Sequence, residues 1–78
     1  KGLNLMIRIN PVYLDLFKSY YGTYIYYVSP GIFLSFDKET LEYKSNISIY
    51  GSYGNKNDIA CSSKINNLIN KGILEVYD

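Results

Sequence analysis

Leu3, Leu5, Ile7 and Ile9 alternate with Asn4, Met6 and Arg8, a period of two that predicts a half-buried strand. Asn10-Pro11 reads as a helix entrance, with asparagine as the cap and proline in the first helical position. Tyr13, Leu16, Phe17 and Tyr20 follow at helical spacing, with Asp15, Lys18 and Ser19 on the other side, so a short helix is expected over 11–20. An aromatic-rich extended segment is the alternative. Gly22 ends this element, and 23–28 is nearly all Tyr, Ile and Val, a strand with both faces covered. Ser29-Pro30-Gly31 supplies a turn. Ile32, Leu34 and Phe36 then alternate with Phe33 and Ser35, and 37–40 turns the chain again. Leu41, Tyr43, Ile47 and Ile49 are expected on one face of the next strand, with Glu42, Lys44, Asn46 and Ser48 on the other.

A loop with Gly51 and Gly54 leads to Asn57-Asp58, a cap with an acid in the first turn of a second helix. Cys61, Ile65, Leu68 and Ile69 form its apolar stripe, Lys71-Gly72 closes it, and Ile73, Leu74, Val76 and Tyr77 form a last strand. The order β-α-β-β-β-α-β predicts an α+β fold: a small mixed or antiparallel sheet, with a three-stranded meander at its centre, packed by two helices. Seventy-eight residues, without repeat or linker, make a single domain over 1–78.

Composition narrows the chemistry. The formal charge is +1, histidine is absent and cysteine occurs once, which excludes disulfide scaffolds, Cys/His zinc sites and His-based triads. Cys61 falls on an apolar stripe and reads as core filler. Asp37, Glu39 and Glu42 lie around a lysine-interleaved turn, a solvated pattern rather than a catalytic dyad or calcium loop. The chain is therefore read as a non-enzyme without a cofactor. No segment reaches the length of a membrane span, and the start has neither the pattern nor the cleavage site of a signal peptide. With the lone cysteine, this points to the cytoplasm of a host cell.

Ile, Lys, Asn and Tyr account for 35 of 78 residues, the signature of an AT-rich genome such as that of a phage, plasmid or low-GC bacterium. Residues 62–76, a helix stripe followed by Lys71-Gly72 and an apolar strand, resemble the recognition helix and first wing strand of winged-helix DNA-binding proteins. The resemblance implies duplex DNA as a partner. It covers a fifth of the chain, and the helix and tight turn that the family places before its recognition helix have no counterpart in 43–56, read here as strand and glycine loop.

Ten tyrosines against three phenylalanines and no tryptophan are the outstanding feature. Tyr24 and Tyr26 share one face of their strand and Tyr27 the other, and Tyr50 points opposite Ile47 and Ile49. Tyrosine gives large contact area at low entropy cost, so Tyr24, Tyr26, Tyr50 and Tyr53 are expected to form a protein-binding face flanked by Arg8 and Lys44. Gly51, Gly54 and Lys56, between a strand and a helix N-terminus, are a candidate anion site, although Asp58 opposes it. The expected function is a small protein-binding module, an inhibitor or adaptor of a larger host machine encoded by a phage or mobile element in the manner of anti-defence proteins. A homodimer is a further expectation for so small a core. Single-stranded nucleic-acid or nucleotide binding through the same rings, or a structural role in a viral particle, are the alternatives.

Overall fold

A computed structural model describes residues 6–49 and 55–77. Among them the order is β1 (Met6–Ile9), a 3-10 helix (Pro11–Leu16), β2 (Lys18–Tyr20), β3 (Thr23–Ser29), β4 (Ile32–Asp37), β5 (Tyr43–Ser48), α1 (Asn55–Asn70) and β6 (Leu74–Tyr77). The described residues form a small, mostly antiparallel α+β fold with two sheets and one α-helix among them. β2-β3-β4-β5 form an antiparallel meander, and β1 pairs with β6 in a two-stranded ribbon. An isolated backbone β-bridge between Arg8 and Glu42 and the Ile9 N–H to Leu41 carbonyl hydrogen bond tie the ribbon to the chain entering β5. No helix among the described residues is long and apolar enough to cross a membrane.

The expected helix over 11–20 is the main departure. Asn10 does cap a turn, its Oδ1 accepting from the Val12 N–H at 3.2 Å with Pro11 behind it, but the turn is a 3-10 helix that ends at Leu16. Phe17 then adopts an extended backbone and enters the core, and Lys18–Tyr20 pairs with β3. The extended alternative holds for this half of the segment. In this ten-residue stretch Val12, Tyr13, Asp15, Phe17, Ser19 and Tyr20 are weak helix formers, which leaves little propensity to set against cross-strand pairing. Tyr21 and Gly22, both at positive φ, make the two-residue hairpin turn; the glycine is a turn residue and not a helix stop.

Two bulges redirect the side chains of the meander. The Pro30-Gly31 turn sets Ser29 opposite Ile32, yet Tyr27 pairs with Phe33 and Tyr26 with Leu34, leaving Val28 as the extra residue. In β5, Ser45 pairs with Ser35 and Tyr43 with Phe36, leaving Lys44 as the extra residue. A bulge shifts alternation by one place and so exchanges the faces beyond it. Consequently Tyr24, Tyr26, Leu34, Phe36 and Tyr43 share the inner face, while Ile25, Tyr27, Phe33 and Ile47 share the outer one. The single face expected for Leu41, Tyr43, Ile47 and Ile49 is thus broken at Lys44.

The inner face packs with α1 and the ribbon around Ile9, Phe17, Ile32, Leu34, Phe36, Cys61, Leu68, Ile73 and Leu74. Cys61 is a buried thiol within that cluster. Asn46, which also faces inward, accepts a hydrogen bond from the Tyr43 hydroxyl. α1 begins at Asn55, two residues before the expected cap at Asn57. It ends as expected at Gly72, whose φ is +80°. The Ile73 N–H donates to the Leu68 carbonyl and the Gly72 N–H to that of Ile69, a Schellman closure in which Leu68 and Ile73 are both buried. β5 occupies the position where a winged-helix protein would carry a helix.

Candidate functional site

The outer face of the meander gathers apolar side chains outside the core. Across the strands it presents Tyr20 from β2, Ile25 and Tyr27 from β3, Phe33 from β4 and Ile47 from β5, with Ile49 just beyond. Tyr27 is 56% exposed, Tyr20 51% and Ile49 71%, while Ile25, Phe33 and Ile47 are half-buried by one another. Tyr27 and Phe33 meet edge to face at 6.1 Å between ring centres. A dent of about 210 Å³ lies among Tyr20, Ile25, Phe33, Ile47 and Ile49. Ser35, opposite Ile25 in the ladder and only 2% exposed, has its hydroxyl satisfied: Oγ donates to the Ser45 carbonyl at 2.8 Å.

Strand chemistry accounts for this surface. Tyr, Ile, Val and Phe favour extended backbone on either face of a pleat, so β3 and β4 form strands whichever side meets the core. The bulge at Val28 decides the side.

Tyr24 and Tyr26, expected on an outward binding face, lie on the inner one. Tyr26 packs against Phe17 with ring centres 5.1 Å apart, and Lys38 Nζ stands 5.5 Å over the Tyr24 ring while donating to Ser19 Oγ. Both are half-buried against the core. Arg8 sits on the ribbon, not beside the outer face. Its Nε donates to Glu75 Oε1 at 3.2 Å, and its guanidinium lies 4.5 Å over the Tyr77 ring. Tyr77 in turn donates to the Glu42 carboxylate, and this bond raises the phenol's pKa above its ordinary value. Lys44 is exposed at its bulge in β5. Tyr50, Gly51, Tyr53 and Gly54 lie outside the described residues; Lys56 lies in the first turn of α1, with its side chain outside them. The candidate anion loop and half of the expected tyrosine set therefore lie outside the described residues.

Asp37 shapes the turn into β5. Its carboxylate accepts the Glu39 and Thr40 N–H groups at 2.8 and 2.9 Å, and these bonds hold its pKa below the ordinary value, with Lys44 adding a smaller pull. Among the described residues, no group of three His, Cys, Asp or Glu side chains is placed to hold a metal ion.

Sequence reasoning missed Tyr27, Ile25, Phe33 and Ile47 as surface residues. Phe33 carried a usable signal, because it alternates against Ile32, Leu34 and Phe36 and had to face away from them. No family model, curated protein or solved structure matches the chain.

Proposed function

We propose that this chain is a non-enzymatic protein-binding module that presents the outer face of its meander to another protein. The observation that carries the reading is the contiguous apolar surface of Tyr20, Ile25, Tyr27, Phe33, Ile47 and Ile49, with no helix packed against it among the described residues. Large exposed apolar patches on small folded proteins mark interaction surfaces, and aromatic anchors dominate such interfaces. The absence of histidine removes the commonest catalytic base. The AT-rich composition suits a phage or mobile-element protein that inhibits or adapts a host machine.

Affinity capture from the native host, compared across variants, tests this. Tyr27→Arg and Ile47→Lys should each lose the captured partner, whereas Val12→Lys, at an exposed position on the 3-10 helix, should retain it. Retention by all three variants refutes the reading.

One observation favours the nucleic-acid alternative. Tyr21, 90% exposed, stands at the tip of the β2–β3 hairpin with its ring 4.6 Å from that of Tyr20. Binding to single strands through these rings would weaken steeply with salt, and binding to a protein through an apolar face would not.

A further inference from the structure

β2 is shorter than β3, and the edge it leaves open lies beside a cationic cleft. The two-residue turn at Tyr21-Gly22 sets Tyr20 opposite Thr23 and Lys18 opposite Ile25. In such a hairpin the residue pair flanking the turn is hydrogen-bonded, so Thr23, Ile25 and next Tyr27 direct their backbone N–H and C=O toward the β2 side. The place opposite Tyr27 would fall to Leu16, which belongs to the 3-10 helix and is not part of the ladder. Tyr27 through Ser29 is therefore an edge without a strand partner on that side among the described residues.

A cleft of about 770 Å³ opens at this edge. Leu16, Tyr26, Tyr27 and Phe33 wall it, and its charged groups are Lys18, from the β2 side, and Lys64, from α1. No acidic residue lines it, and neither lysine has an ion-pair partner among the described residues. An added strand would place successive side chains alternately toward the outer face, where Lys18 stands, and toward the α1 side, where Lys64 stands. Two neighbouring acids would then meet one cation each, with apolar residues beside them against the aromatic walls.

We propose that this cleft takes an acidic segment of the partner protein in extended form, added to β3 in line with β2. The proposal rests on the reading of the chain as a protein-binding module and adds the chemistry of what it binds: adjacent carboxylates flanked by apolar residues, held by main-chain pairing at Tyr27 and by Lys18 and Lys64.

The test titrates isotopically labelled protein with two pools of end-blocked heptapeptides. One pool carries an adjacent Asp-Glu pair between apolar residues, and the other carries Asn-Gln in the same places. The acidic pool should shift the Tyr27 and Val28 amide resonances and half-saturate at about tenfold lower concentration than the amide pool at low salt. The double variant Lys18→Gln/Lys64→Gln should erase that preference. Equal saturation by both pools, shifts confined to other residues, or no shift would each overturn the proposal. So would a double variant that merely dimerises, since lysines can serve only to guard an edge against self-pairing. If the pools fail while capture still depends on Tyr27 and Ile47, the acidic segment is wrong and the protein-binding reading stands; if capture fails as well, both fall.

Discussion

Tyr26 and Tyr27 are adjacent in sequence and opposite in role, so truncating each in turn gives a direct test of the bulged register. Tyr26 is half-buried, and its ring lies 5.1 Å from Phe17, which meets Phe36 edge-on at 5.3 Å. Removing a fully buried aromatic ring costs about 3–5 kcal/mol, and half-burial with a retained backbone brings Tyr26→Ala to about 2–3 kcal/mol. A chain of this size has a total stability of roughly 4–12 kcal/mol, so the loss is a large fraction of it. At about 4–8 °C per kcal/mol, the Tm of Tyr26→Ala should fall by roughly 10–20 °C. Tyr27 is 56% exposed and meets Phe33 edge to face, so Tyr27→Ala should cost about 1 kcal/mol or less. Thermal melts followed by circular dichroism at equal protein concentration measure both. Tyr27→Ala melting below Tyr26→Ala, or the two melting together, would refute the register and with it the outer face.

Three further outcomes test other parts of the structure. Asn10 accepts from the Val12 N–H and donates from Nδ2 to the Gly72 carbonyl at 3.0 Å, so Asn10→Ala should cost about 1–2 kcal/mol in urea unfolding, and Asn10→Asp, which keeps only the cap, should recover part of it. Asp37 is more acidic folded than unfolded, so its stabilisation is present above its unfolded pKa and is lost as pH falls through the folded one; urea midpoints of Asp37→Asn should decline less between about pH 5 and pH 2 than those of the parent. Tyr77 has the opposite sign, its bond to Glu42 being present below the ordinary tyrosine pKa and lost as pH rises through the raised one. Its ring resonances should titrate late, and Glu42→Gln should bring the midpoint down.

Periodicity revealed the elements better than their sidedness. α1 and its Gly72 closure, the strands β3, β4 and β6, and the Pro30-Gly31 turn were all legible, because local propensity and turn chemistry agree there with the final fold. The segment after Pro11 was not. A helical stripe and a strand contain the same aromatics, and the choice depended on pairing with β3, which is a tertiary event. The candidate site was least legible of all. Counting alternation through β3 assigns Tyr24 and Tyr26 to the outside if Val28 holds a regular place. With Val28 bulged, the whole tyrosine run changes sides. A second bulge at Lys44 then sends Ile47 outward to join Tyr27 and Phe33. Lys18 and Lys64 are far apart in the chain, and only the short β2 and the packing of α1 bring both to one cleft.

The ribbon of β1 and β6 has a mechanical consequence. Met6 pairs with Tyr77 and Ile9 with Leu74, so tension applied across residues 6 and 77 acts at one end of an antiparallel pair. The ribbon's hydrogen bonds would then break one after another, as in a zipper, and not all together under shear. Once the ribbon opened, the load would reach the Arg8–Glu42 bridge and the exit of α1, uncovering Ile9 and Leu74 while the meander still held its own ladder. The molecule would yield at low force along this axis, and the strands that carry the candidate site would be the last to lose their pairing.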